Sequence, residues 1–269
     1  LAVEEGLTIM HPFDDAAVIA GQGTTALEML KAEPLLDTLV VPIGGGGLIA
    51  GCALAARAIN PNLRIIGVQS ALYPGMAHVT GYHPQPFVTG STVAEGIAVI
   101  EPGLITRQLV SQLVDDIAVV DETAIEQAIS LLLGVEKTLC EGAGAAGIAA
   151  MLARPDLFAG RKVGVILSGG NIDTRVLVSV LQRHLTRTGR MVRIRAELPD
   201  RPGSLAQLTA IIADNGGNIY ELRHERFAAA SLAKESAVTI DVELRDATDL
   251  EPMMACLQHS GFKARRDAF

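Results

Sequence analysis

Val40-Val41-Pro42-Ile43-Gly44-Gly45-Gly46-Gly47-Leu48-Ile49-Ala50-Gly51 carries a short apolar run into four consecutive glycines, and a helical pattern of small residues follows at once. A buried strand that turns directly into a helix is the repeating half of a βαβ unit. Four glycines are costly to order, because glycine loses more backbone freedom on folding than any other residue. What they offer is bare backbone N–H groups at a helix N-terminus, where a phosphate is held by hydrogen bonds and by the helix dipole. The stretch is open to three readings: a tight strand-to-helix turn, a dinucleotide fingerprint, and a cradle for a single phosphate monoester. Gly45-Gly46-Gly47-Leu48-Ile49-Ala50 fits G-x-G-x-x-A, but that motif needs an acid at the end of the next strand to hold a ribose hydroxyl. Here the strand at Arg64–Val68 runs into Gln69-Ser70, which places the dinucleotide behind the monoester.

Outward from the tetraglycine, short apolar runs alternate with helical patterns. Leu7–Met10, Thr38–Ile43, Arg64–Gln69, Asp116–Val120 and Lys162–Leu167 read as strands; Gly23–Lys31, Leu48–Ile59, Glu122–Val135, Gly142–Leu152 and Asp173–Arg187 read as helices. The alternation predicts an α/β fold with an open, mainly parallel, twisted sheet. Asp121 and Asp173 stand where helix-capping residues belong. Residues 70–115, rich in Gly, Pro, Thr and His, break the rhythm and read as a long loop of the kind that serves function.

The pattern changes near Thr186–Arg190. A strand (Val192–Leu198), the turn Asp200-Arg201-Pro202-Gly203-Ser204, a helix (Leu205–Asn215), two strands (Asn218–Arg226 and Ala237–Leu244), a helix (Leu250–Ser260) and a last strand (Lys263–Arg266) follow. This βαββαβ order is that of a ferredoxin-like sandwich. Two domains are expected, over residues 1–188 and 189–269.

Composition narrows the function classes. The chain has 269 residues, 49% of them hydrophobic and only 3% aromatic, the make-up of a parallel α/β core. A formal charge of −8 argues against nucleic acid or an anionic membrane as partner. The cysteines Cys52, Cys140 and Cys256 have no metal spacing and read as reduced thiols of a cytoplasmic protein. No run is long enough to span a membrane. The start at Leu1, in what reads as the end of a helix closed by Gly6, looks like a cut in a longer protein.

Ser168-Gly169-Gly170-Asn171 closes the strand Val163–Leu167, so it and the tetraglycine both lie beyond carboxyl ends of strands, where open α/β sheets bind ligands. Glu141-Gly142-Ala143-Gly144-Ala145-Ala146-Gly147 reads first as a close-packing helix start, with Glu141 able to face the site or a cation. Gly21-Gln22-Gly23-Thr24-Thr25 reads as another helix N-terminus, with Thr24 or Thr25 as cap. The histidines form neither a triad nor a metal set.

With His11-Pro12-Phe13-Asp14-Asp15 and Ala94-Glu95-Gly96-Ile97-Ala98-Val99, these motifs stand in the order of a known family. Together they resemble the second half of a threonine dehydratase (threonine ammonia-lyase), a fold-type II pyridoxal phosphate enzyme. Leu198-Pro199-Asp200-Arg201-Pro202-Gly203-Ser204-Leu205 resembles the opening of an ACT domain, an amino-acid-sensing module. The resemblance implies that Gly44, Gly45, Gly46, Gly47 and the Leu48 amide bind the phosphate of pyridoxal 5'-phosphate, and that Ser168 bonds the pyridine nitrogen. It implies dehydration and deamination of L-threonine to 2-oxobutanoate and ammonia, with L-serine as a poorer substrate. It also implies regulation by an amino acid such as isoleucine or valine, bound at Asp200, Pro202, Gly203, Ser204 and Leu205 and at the facing Asn218, across the interface of a homo-oligomer.

Two departures stand out. The family's Schiff-base lysine lies in an S-F-K-x-R-G motif near the N-terminus, and neither that motif nor the S-x-G-N-H loop that follows it occurs here. The lysines present, Lys31, Lys137, Lys162, Lys234 and Lys263, have other contexts, so no catalytic residue is assigned and this polypeptide alone is expected to be inactive. Some relatives hold a divalent cation with an acid where Gln69 stands, so no metal is assigned. A serine dehydratase or racemase of the same fold, and a non-catalytic amino-acid-binding remnant, are the alternatives.

Overall fold

A computed structural model describes residues 2–8, 10–226 and 234–269. The chain divides into two compact units, Leu1–Val180 and Leu181–Phe269.

The first unit is built on a parallel sheet of β1 (Thr38–Pro42), β2 (Arg64–Ser70), β3 (Asp116–Val120) and β4 (Val163–Val165), in the order β3-β2-β1-β4. β1 is buried along its whole length, as a central parallel strand must be. Both faces are covered. α2 (Ala16–Ala32), α3 (Gly47–Ile59) and α5 (Leu104–Leu113) pack around Leu39, Val41 and Ile65 on one side. On the other, α6 (Glu122–Leu131), α7 (Gly142–Ala153) and α8 (Thr174–Arg187) pack around Val40, Ile66 and Val68. A short α1 (Ala2–Glu5) and α4 (Gly75–Thr80) complete the unit, and α6 runs on through a π-helical turn at Leu132–Glu136.

Several expectations are corrected. The described residues of Leu7–Met10 form no strand, and Ile9 lies outside the described residues. α2 begins seven residues before Gly23, at Ala16, capped by the Asp15 carboxylate, which accepts from the Ala17 and Val18 amides. Gly21 and Gly23 are therefore inside the helix, and Gly23 is needed for a crossing: a Cβ there would stand 2.7 Å from the Gly51 carbonyl oxygen of α3. Residues 70–115 are not all loop, since α4 and the ten residues of α5 lie within them. The cap of α5 is remote: Asp14 accepts the amides of Leu104, Ile105 and Thr106 at 2.9, 2.9 and 3.1 Å. Asp121 and Asp173 do cap α6 and α8.

The second unit follows the expected βαββαβ order: β5 (Met191–Pro199), α9 (Ser204–Asp214), β6 (Asn218–Glu225), β7 (Glu235–Glu243), α10 (Leu250–His259) and β8 (Lys263–Asp267). Its antiparallel sheet runs β6-β7-β5-β8. The alternation along β5 sends Val192, Ile194, Ala196 and Leu198 into a core with Leu208, Ile212, Met253 and Leu257 from the two helices.

Candidate functional site

The tetraglycine leaves the carboxyl end of β1 and opens α3. Gly46 is the N-cap in a left-handed conformation (φ 101°), and no side chain caps the helix. The carbonyl of Gly46 accepts from Ala50, and that of Gly45 accepts from the Thr106 hydroxyl at 2.7 Å and the Gly103 amide at 3.3 Å. Among the described residues, no protein acceptor faces the amides of Gly44, Gly45, Gly46, Gly47 or Leu48. Orphan donors at a helix start need a partner, and an anion is the partner they suit best. The loop also has no room for side chains. The Phe13 ring fills the place of a Gly45 Cβ, and a Cβ on Gly46 would stand 2.6 Å from the Met76 methyl carbon. The cradle therefore fits a phosphate.

Three further segments converge on this loop. Gly44 packs against the Gly96 carbonyl and Ile97, within 3.3 Å of the Cβ it lacks. Glu141, at the start of α7, rests between Gly96 and Gly169, its carboxylate 3.3 and 2.6 Å from the Cβ either would carry. The Glu141 amide and the Cys140 thiol both donate to the Gly169 carbonyl. Burial and the neighbouring Glu141 charge push the Cys140 thiol above its ordinary range. Ser168 lies just beyond β4, the sheet neighbour of β1, and its exposed hydroxyl has no partner among the described residues. The structure thus brings the tetraglycine, Ala94–Ala98, Glu141 and the Ser168–Asn171 loop to one end of the sheet.

Some contributors have no signature in the sequence. Glu122 collects the Ser70 hydroxyl, the Thr92 hydroxyl and the Val93 amide at 2.9, 2.7 and 2.8 Å, fixing the strap that carries Gly96. Phe13 and Thr106 support the loop from segments read as a motif of resemblance and as loop. Gln69 is fully buried and spends its amide on the Ile43 carbonyl and the Ala77 amide.

In the second unit, Gly203 (φ 92°) precedes α9, Ser204 is buried in its first turn, and the Asp200 carboxylate pairs with Arg226 at 3.2 Å. Asn218 is elsewhere. It pairs in register with Glu243, which faces Met191 at the far end of β5, while Asp200 follows Pro199 at the near end. At about 3.3 Å per residue the nine residues from Met191 to Asp200 put the two roughly 30 Å apart along the sheet. One chain does not bring them together.

Comparison with known proteins decides the family. Residues 1–169 match the sequence profile of the pyridoxal-phosphate dependent enzymes. The chain belongs to that family. Residues 186–260 match the ACT domain. Over 261 residues the chain is 38% identical to the L-threonine ammonia-lyase of Thermotoga maritima, covering 97% of this chain and 65% of that protein. Over 262 residues it is 42% identical to the Geobacter sulfurreducens enzyme of the same name, covering 96% and 65%. The chain thus spans just under two thirds of these relatives. Among solved structures, maize serine racemase superposes with a TM-score of 0.60 at 38% identity, over 68% of this chain and 58% of that one. Among the described residues, no helix is long and apolar enough to cross a membrane.

Proposed function

We propose that this chain forms the part of a pyridoxal-phosphate dependent threonine ammonia-lyase that binds the cofactor's phosphate and ring nitrogen, joined to its own amino-acid-sensing domain. The observation that carries this reading is the row of unaccepted amides at Gly44, Gly45, Gly46, Gly47 and Leu48 beyond the carboxyl end of β1, with the open hydroxyl of Ser168 beyond the same end of the neighbouring β4. Those amides and the dipole of α3 would hold the phosphate, and the Ser168 hydroxyl would donate to the pyridine nitrogen. When bound, the cofactor supplies the electron sink that lets a β-hydroxyl leave an amino acid. A hydroxyl at Ser168, where a carboxylate would favour a protonated ring, keeps that sink shallow and suits elimination.

The reaction in this reading converts L-threonine to 2-oxobutanoate and ammonia, and L-serine to pyruvate and ammonia. The 269-residue polypeptide alone lacks the nucleophilic lysine for it. Lys162 pairs with Glu33, Lys263 with Glu197 and Glu235, and the Lys137 ammonium bonds the Gly134 carbonyl. The catalytic portion is assigned to residues 1–188 and the regulatory portion to 189–269. The ACT domain would sense an amino acid such as isoleucine in a homo-oligomer, and three free cysteines fit a cytoplasmic setting. The likeness to maize serine racemase favours a racemase or serine dehydratase as the second reading.

Titration of the glycine-labelled chain with pyridoxal 5'-phosphate tests the site. The amides of Gly44–Gly47 should shift, with no threonine turnover until a polypeptide carrying S-F-K-x-R-G is added. Shifts confined to other glycines, or turnover by the chain alone, would refute it.

A further inference from the structure

We propose that Thr106 is a positioning residue for the phosphate loop, its hydroxyl fixing the plane of the Gly45–Gly46 peptide so that the Gly46 N–H faces the anion. The inference rests on the phosphate reading of the tetraglycine.

In a trans peptide the carbonyl of one residue and the N–H of the next point in opposite directions, and no cis peptide is present among the described residues. Whatever holds the Gly45 carbonyl therefore aims the Gly46 N–H the other way. The Thr106 hydroxyl holds it at 2.7 Å and the Gly103 amide assists at 3.3 Å. The hydroxyl has one proton to give. Its second neighbour, the Gly103 carbonyl, is further at 3.3 Å, so the bond to Gly45 is the one it makes. Thr106 is fully buried, so no water competes for that proton.

This orientation is not free to arise otherwise. Glycine at φ 101° is soft, and an unheld Gly45–Gly46 peptide could flip and present its carbonyl to the anion instead. Thr106 is itself anchored, because its own amide donates to Asp14 at 3.1 Å. Asp14 follows Phe13, whose ring backs Gly45. The remote cap of α5 and the shape of the phosphate loop are thus one device, with Thr106 at its centre.

The test compares wild type, Thr106→Val and Thr106→Ser in the 269-residue chain labelled with 15N and 13C in glycine, titrated with inorganic phosphate. Valine keeps the volume of threonine and loses the hydroxyl; serine keeps the hydroxyl and loses a methyl. If Thr106 acted only by packing, valine would behave like wild type and serine would be worse. Orientation by the hydroxyl requires the reverse order. In Thr106→Val the Gly45 carbonyl should move toward its unbonded chemical shift and the Gly46 amide should stop responding to phosphate. Gly47 should still respond, and phosphate affinity should fall about tenfold, the loss of one bond to a charged group. Thr106→Ser should match wild type. A Gly46 response that survives in Thr106→Val overturns the role of Thr106, while no response of any loop amide in wild type overturns the phosphate reading beneath it. Should the valine variant not fold, Thr106→Ala against Thr106→Ser, which differ by one oxygen, repeats the comparison.

Discussion

A Cβ on Gly46 would stand 2.6 Å from the Met76 methyl carbon and 2.8 Å from the Thr106 Cβ, at a φ of +101° that side chains avoid. A Cβ on Gly44 meets its neighbours at 3.3 Å with ordinary φ. The two alanine variants should therefore differ. Gly46→Ala is expected to cost about 2–4 kcal/mol, from left-handed strain plus overpacking, and Gly44→Ala about 1 kcal/mol or less, measured by urea denaturation. At the same scale, burial in α3 pushes the Cys52 thiol up from an ordinary 9.0 to about 11. The raised value means the unfolded chain ionises first. The stability that depends on a neutral Cys52 is fully present below pH 9 and is lost as pH rises through about 11, a loss on the order of 2–3 kcal/mol. Denaturation midpoints at about pH 8 and about pH 10.5 should fall less in Cys52→Ala than in wild type, though not to zero, because Cys140 is shifted in the same direction.

Among the elements, α2 and α3 give the clearest contrast between a glycine that is needed and one that is not. Gly21 lies in α2 with open space beside it, whereas a Cβ on Gly51 would run into the Ile19 carbonyl oxygen. Gly21→Ala is expected to raise stability by about 0.5–1 kcal/mol, and Gly51→Ala to lower it by about 1–3 kcal/mol by forcing the helices apart. A destabilised Gly21→Ala would mean that residue 21 is not helical. The same helices show why some elements are legible in sequence. β1, β2, β3 and the whole βαββαβ unit carry their periodicity and turn signals within the segment itself. The start of α2 does not read correctly, because Gly23 serves the crossing with Gly51 and mimics a helix start. α5 is hidden because its cap, Asp14, is 90 residues away in the chain. For the candidate site the division is similar. The glycine loops announce themselves at strand ends, and Phe13 lies in a motif that the resemblance picks out, while Thr106 and Glu122 act only through tertiary contact and leave no local pattern.

For the whole molecule, the roughly 30 Å between Asn218 and the start of the Asp200–Leu205 loop decides how an effector site could be built. If both belong to one site, two copies must share it, with the loop from one chain and Asn218 from its partner. β6 lies at the edge of its sheet, with Tyr220 two-thirds exposed, and an open edge strand is a ready surface for a second copy. In a two-fold dimer each site would then be shared, and variants on the two sides should complement. Ser204→Arg would block the loop side and Asn218→Ala would remove the other, so each variant alone should lose amino-acid binding. In a mixed dimer, the site that combines the unaltered loop of one chain with the unaltered Asn218 of the other is intact. Equal mixing gives mixed dimers about half the time, each with one intact site of two, so about a quarter of wild-type capacity should return. Calorimetric titration of isoleucine into the separate variants and into their refolded mixture measures this. Recovery near a quarter supports a site shared between chains. Full binding by Asn218→Ala alone, with about half of wild-type capacity in the mixture, would mean that Asn218 takes no part and that the loop binds an effector by itself.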